Sequence, residues 1–309
     1  MKEVFKLDCH VHTNDVSMCA RASVWEWRDF YQKNLPWVEG IVITNHSHPP
    51  GLYDSRVMSR KVELNNYDQV KGLRAISGVE VNILRDGKLD LDGESLERIP
   101  WVAAALNPLP IENGDGEEIK ADPKQIEEAY VRVARSGLVD VIAHPTKDIS
   151  EVKLKKISWP NVFSECKKAG VMVEICLLGM APDWWIKLVA RSGCVVTVGS
   201  DWHGMYHFRQ YKPMGMRTNE ALVWEKVKLG GRDGFDQLSR PEKAEYNSLY
   251  SKGRMPNEFY SSFESLFRKL KELGLEEKMV FNHYGAKLLK SYVATSRDLR
   301  PKFFRNHVS

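Results

Sequence analysis

No stretch of this chain is long and apolar enough to cross a bilayer, so no membrane partner is expected. The opening Met1-Lys-Glu-Val-Phe-Lys also lacks the apolar stretch of a signal peptide. Charge of one sign is missing as well. Lysine and arginine total 45 against 41 acids, and the resulting +4 does not by itself indicate a nucleic-acid partner. Cysteine is scarce, odd in number and scattered (Cys9, Cys19, Cys166, Cys176, Cys194), partly inside expected strands. That pattern excludes a disulfide framework and fits reduced thiols in a cytoplasmic compartment. Neither a repeat of fixed period nor a low-complexity tract occurs, which sets solenoid architectures aside. Oligomeric state leaves no signal.

What is present is a rhythm. The 309 residues, 43% hydrophobic, suffice for two average domains or for one α/β barrel. The apolar lead-in Val4, Phe5 and Leu7 opens a first strand, and Ser23 to Lys33 reads as a helix with aromatic positions on one side. Short apolar runs of the buried parallel type follow at Gly40–Thr44, Leu73–Val81, Trp101–Leu106, Val139–Ala143, Val171–Cys176 and Cys194–Ser200. Helices are expected near Val57–Val70, over Lys124–Ser136, over Asn161–Ala169 before Gly170, and over Asp183–Arg191 before Gly193. The Gly- and acid-rich loop 112–118 reads as solvated. Repeated βα units with apolar strands predict a parallel sheet or barrel. After His203 the rhythm stops. Gly204–Pro256 is polar, aromatic and without a clear strand, so it reads as an insertion or lid-like segment, with peripheral decoration weighing about equally. Asn257–Gly274 and Leu275–Leu289 read as amphipathic helices closing the barrel's outside. The tail around Phe303-Phe304, with Arg297, Arg300, Lys302 and Arg305, reads as a frayed basic terminus rather than a contact for an acidic partner.

The chemistry-bearing residues sit at the strand ends. His10 and His12 end the first strand, and the period of two puts both on one face. His46 ends the second, Glu80 the third, His144 the fifth, and Asp201 with His203 the seventh. In a parallel barrel all carboxyl ends lie on one side, where these residues would converge. Taken singly, each is more often structural or exposed than a ligand. Five of the nine histidines at such ends favour a metal site over chance. Cys9 has the opposite parity to the histidines and is expected to face away from them into packing.

The ordered set His10-x-His12, Ile-Thr-Asn-His46, Gly-Val-Glu80-Val, Ala-His144-Pro and Gly-Ser-Asp201-Trp-His203 resembles the polymerase and histidinol phosphatase (PHP) family, over roughly residues 1–205. A weaker likeness lies at Phe281-Asn-His-Tyr-Gly-Ala-Lys-Leu-Leu289. The resemblance implies an α/β fold, a distorted (β/α)7 TIM-like barrel, here with a C-terminal helical extension. It also implies two or three divalent metal ions (zinc, manganese or iron) and hydrolysis of phosphate esters. By matching position, His10, His12, Glu80 and Asp201 would hold one metal. Glu80 and His144 would hold a second through a bridging carboxylate, and His46 and His203 would contribute to a third. The implied division is a barrel core over 1–205, a lid-like segment over 206–256, and closing helices with a basic tail over 257–309. Where many members carry Asp this chain has Asn45, and where many carry His it has Asn107. A further His or Asp often follows the first motif; the choices here are Asp15, Ser17 and Cys19.

Metal-activated hydroxide would attack phosphorus, and His203 or His46 would give the leaving oxygen its proton. Lys147 in Ala-His-Pro-Thr-Lys reads as a phosphate-holding cation, with a solvated loop lysine weighing equally. Arg21 is a second substrate-binding candidate for which an exposed helix position is favoured, and Arg209 is a weaker one. For His48 and His207 the surface reading leads. Glu174 in a buried strand reads as a hydrogen-bonded core acid or as support for the site. Trp202 is expected to pack and to shape the pocket wall. The substrate would be a small phosphorylated molecule or a nucleotide terminus. Two other readings stay open, an amidohydrolase-like metal hydrolase and a metal-binding regulatory barrel without catalysis, the latter motivated by Asn45 and Asn107.

Overall fold

The computed structural model describes residues 5–14, 17, 20–47, 72–84, 86–106, 121–147, 149–177, 181–204, 217–251 and 263–307. Seven strands form one all-parallel sheet in sequence order: β1 (Leu7–Val11), β2 (Gly40–Ile43), β3 (Arg74–Asn82), β4 (Trp101–Ala105), β5 (Val141–Ile142), β6 (Met172–Cys176) and β7 (Val196–Gly199). Such an order curls the sheet into a nearly closed barrel, the expected α/β architecture. Long helices cover the outside: α1 (Val24–Asn34), α2 (Pro123–Arg135), α3 (Trp159–Ala169) and α4 (Asp183–Ser192). Their ends were written locally. Ser23 and Glu26 form a reciprocal cap on α1, Asp122 and Gln125 do so on α2, and Pro123 opens α2 where no donor is needed. Gly170 and Gly193, both at φ +71°, end α3 and α4 in the left-handed conformation.

Two apolar layers result. Outward-facing strand residues (Ile41, Val79, Val102, Val173, Val198) pack under Trp27, Tyr130, Trp159 and Trp185 of the helices. The inward-facing set, with Val42, Ile76, Trp101, Ala103 and Met172, fills the barrel's lower half and is plugged by Phe281, Leu289, Tyr292 and Phe303. Cys9 belongs to this inner set, which corrects the expectation that it faces away from the histidines. The cause is a register slip. Asp8 pairs with Ile41 and Val11 with Ile43, so β1 carries one residue more than β2 between them. Bulges re-aim side chains in this way. Asp8 points out to the Tyr31 hydroxyl, while Cys9 and His10 both turn inward.

The edges β1 and β7 close by a different device at each level. Near the top, Asp201 N–H donates to the His10 carbonyl (2.8 Å) and His12 N–H to the Trp202 carbonyl (3.0 Å). Lower down, the chain from Val280 to Asn282 occupies the gap. Val280 bridges Val196, and Lys6 N–H donates to the Asn282 carbonyl (2.9 Å). The Asn282 amide donates to Leu7 O (2.6 Å) and Val198 O (2.7 Å) and accepts from Val198 N (2.5 Å). This is why the expected helix over Leu275–Leu289 is absent. Two 3-10 turns, Glu277–Met279 and Phe281–His283, stand there instead, and a helix runs only over Ala286–Ala294.

Among its described residues the basic tail is not frayed. Arg297 Nη1 meets Asp140 Oδ2 at 2.9 Å, Arg300 pairs with Asp140 Oδ1, and Arg300 is 6% exposed. Asp140, buried on the strand-side loop, is thus the acidic partner within the same chain. The 206–256 segment, expected to lack strands, supplies two helices, Thr218–Asp236 and Arg240–Ser251. Val223, Trp224, Val227, Leu238, Tyr246 and Leu249 give them a core of their own. Its residues 206–216 and 252–256, like the expected Val57–Val70 helix and the 112–118 loop, lie outside the described residues.

Candidate metal centre

The bulge in β1 sends His10 and, two residues on, His12 into the upper mouth of the barrel. Glu80 rises from β3, His144 follows β5, and Asp201 follows β7. Among the described residues, His144 (φ +26°) and Asp201 (φ +54°) are the two non-glycine positions with positive φ. Backbone held in this region concentrates at functional sites. Asn45 ties the loops after β1 and β2 together. It accepts from Thr13 N–H (2.7 Å) and donates to Thr13 Oγ1 (2.9 Å), so both ends of its amide are taken up in a clamp that a carboxylate could not make.

His10, His12 and Asp201 offer ligand atoms close enough together to hold one ion, and Glu80 lies beside them. His10 Nε2 lies 3.0 Å from His12 Nε2, 3.4 Å from Glu80 Oε2 and 3.6 Å from Asp201 Oδ1. His12 Nε2 lies 3.4 Å from Glu80 Oε2 and 3.2 Å from Asp201 Oδ1. An ion bonded tetrahedrally at about 2.0–2.1 Å separates its ligand atoms by roughly 3.3 Å. Five edges of such a tetrahedron are therefore present, all close to that length. The donor set of imidazoles and carboxylates suits a borderline divalent ion such as zinc, and the residues fit the group. Around this point, His144 Nε2 lies 2.9 Å from Glu80 Oε1 and His46 Nδ1 lies 3.1 Å from Glu80 Oε2. His12, His46 and His203 also offer nitrogens close enough together for an ion, with His203 stacked on His12 at 4.1 Å between centroids.

The electrostatics agree with the geometry. Burial lowers His12 well below its ordinary pKa, helped by the neighbouring His203, and brings His203 down to about 4. Both rings are neutral near pH 7. Burial works against protonation of His10 too, but the Glu174 carboxylate, and then Glu80, hold its pKa well above the usual range. The proton on His10 is thus shared toward the His12 lone pair across the 3.0 Å contact. Against the cost of burial, His46 and His10 hold Glu80 well below the carboxylate range, and Lys147 and His12 do the same for Asp201. Burial pushes Asp8, beneath the site, up to about 6 although Ser200 and Tyr31 bond to it. His203 Nδ1 faces the Asp201 carbonyl at 2.9 Å; a carbonyl only accepts, so Nδ1 carries the hydrogen and Nε2 keeps its lone pair.

Seven sequence candidates (His10, His12, His46, Glu80, His144, Asp201 and His203) thus share one mouth. Lys147 joins them: its Nζ lies 2.6 Å from Asp201 Oδ2, the oxygen turned away from the tetrahedron. Arg21 does not come in by its side chain, which is exposed; its backbone N–H donates to the His203 carbonyl. Trp202 is no pocket wall. It stacks on Trp27 and Tyr31 of α1 in the outer layer. Asp15, Cys19, His48, Asn107, His207 and Arg209 lie outside the described residues. Glu174, read as core acid or support, turns out to contact His10 Nδ1 (2.9 and 3.2 Å) and to accept from His144 N–H (2.8 Å). Cys176, two residues along the same strand, brings its thiol to 3.8 Å from Asp201 Oδ2 and was not singled out. The signal was the shared parity of Glu174 and Cys176.

Fold and site together define a parallel α/β barrel with a metal-competent cluster at the carboxyl ends of its strands. No protein-family model matches the sequence, and no curated protein does. Among solved structures, a histidinol phosphate phosphatase from Lactococcus lactis subsp. lactis Il1403, complexed with zinc, L-histidinol and phosphate, is similar at 15% identity and a TM-score of 0.47. That likeness covers 64% of this chain and 86% of the other. An uncharacterized protein is similar at 14% identity and a TM-score of 0.27, over 99% of this chain and 75% of the other. Likenesses this distant add nothing to what the side chains themselves carry.

Proposed function

We propose that the chain is a metal-dependent hydrolase of phosphate esters acting on a small phosphorylated molecule or a nucleotide terminus. The observation that carries the reading is the set of five near-tetrahedral edges among His10, His12, Glu80 and Asp201. These four would hold one ion. His144 with Glu80 Oε1, and His203, would serve further ions, of zinc, manganese or iron. A divalent ion so held supplies a Lewis acid that yields hydroxide from water near neutral pH and neutralises charge on phosphoryl oxygens.

The remaining work falls to side chains. Lys147 sits beside Asp201 with its ammonium directed at the mouth's edge, and we assign it to a phosphoryl oxygen through a charge-assisted hydrogen bond. The exposed Arg21 stays a candidate for the outer part of the substrate. Because burial keeps His203 neutral at pH 7, we assign the leaving oxygen's proton to His46 and the His203 Nε2 lone pair to metal. In this reading 1–205 carries the chemistry, the 206–256 segment with its helices Thr218–Asp236 and Arg240–Ser251 governs access, and 257–309 completes the wall. Four described cysteines are free thiols, the state that a cytoplasmic compartment maintains.

Elemental analysis of the purified protein, followed by phosphate release from a panel of monoesters and diesters with added manganese or zinc, tests the proposal. Bound metal with chelator-sensitive phosphate release is expected. Cleavage of carbon–nitrogen bonds without phosphate release would move the assignment to an amidohydrolase-like enzyme. Metal binding without any turnover would leave a regulatory barrel.

A further inference from the structure

We infer that Glu174 is a positioning residue that sets two metal ligands at once, the ring of His10 and the backbone of His144; the inference rests on the metal-centre reading above. Its carboxylate is buried on β6 at 2% residue exposure, and both oxygens reach His10 Nδ1, at 2.9 and 3.2 Å. A carboxylate facing Nδ1 requires the hydrogen there, and the neutral ring then presents its lone pair at Nε2. Nε2 is the atom that meets His12, Glu80 and Asp201. The same carboxylate accepts the His144 N–H at 2.8 Å, fixing a residue whose φ of +26° is otherwise costly. His144 in turn reaches the other oxygen of Glu80, Oε1, at 2.9 Å. One buried acid therefore sets the geometry on both sides of the Glu80 carboxylate.

The neighbouring strand is shaped around this contact. A Cβ at Gly199 would stand 2.0 Å from Glu174 Oε1 and 2.3 Å from His10 Cβ, so a side chain at 199 could not coexist with the pair. Thr197, two residues before Gly199, lies opposite Glu174 in the β6–β7 register. Partners of metal-ligating histidines fix tautomer and ring orientation, and their loss lowers metal affinity by roughly 10–100-fold.

The test is Glu174→Gln in the full chain, read by zinc titration and by nitrogen NMR of the His10 ring in the metal-free protein, at a pH alkaline enough for that ring to be neutral. The amide can present its N–H to Nδ1, so the ring should move its hydrogen to Nε2 and zinc affinity should fall by about 10–100-fold. Glu174→Asp keeps the charge and should recover the Nδ1–H tautomer and part of the affinity. Unchanged tautomer and affinity in Glu174→Gln would overturn the inference while leaving the metal centre standing. If the unaltered protein takes up no zinc, the functional proposal fails, and the tautomer comparison still judges Glu174. Should neither variant fold, Glu174 belongs to the core and the inference is overturned.

Discussion

Glu80 meets four imidazoles with two oxygens: His144 on one, and His46, His10 and His12 on the other. A carboxylate so surrounded stays ionised because the neighbouring rings outweigh its burial. Glu80→Gln, His10→Ala and Asp201→Asn are each expected to cost more than the 10–100-fold in metal affinity typical of losing an outer partner. Turnover should vanish, with the far-ultraviolet spectrum preserved; wild-type metal content in these variants would count against the ligand assignment. A pH effect follows from His10. Its metal-free form holds a proton well above the ordinary histidine range, and ligation needs the Nε2 lone pair, so metal uptake must expel that proton. Apparent affinity therefore rises with pH through the neutral range. Calorimetry in buffers of differing ionisation enthalpy should count the released proton, and a buffer-independent enthalpy would contradict it. At this scale the sequence was informative wherever a residue type is rare in a strand end, as with His10, Glu80 and Asp201. It marked Asn45 only as a departure from the motif and not as a loop clamp, and it left Glu174 between core acid and site support, because contacts with His10 and His144 across three strands leave no local pattern.

Among elements, β1 shows what periodicity misses. Alternation correctly gives His10 and His12 one face, yet the extra residue between Asp8 and Val11 turns Cys9 inward as well, and no turn residue marks the slip. Helix bounds were legible where caps are spelled out, at Ser23, Asp122, Gly170 and Gly193. The stretch from Leu275 to Leu289 was not, because its apolar spacing suits a helix while its backbone is used to fill the gap between β1 and β7. Asn282→Ala would strand two carbonyls and one N–H in the interior, a loss on the order of 3 kcal/mol at one to three per orphaned group. Urea denaturation should show the midpoint falling with little change of slope. A loss below about 1 kcal/mol would mean that water replaces the amide.

For the whole molecule, residues well beyond 205 pack into the barrel that the motifs outline. Phe281, Leu289, Tyr292 and Phe303 plug the barrel from below, and Arg297 and Arg300 lock that plug to Asp140. Removing one member of a buried ion pair costs roughly 3–5 kcal/mol, so Arg300→Ala should lower the thermal midpoint far more than Lys302→Ala, whose side chain is exposed. Equal melting of the two would show the lock to be idle. A chain cut after residue 256 should fail to fold for the same reason. The order of manufacture gives this arrangement a further meaning. Leu7 and Asn282 stand 275 positions apart, so His10 and His12 remain without this closing partner until Asn282 has left the ribosome. Contacts of such separation form slowly. On the metal-centre reading proposed above, ion loading would wait for that closure.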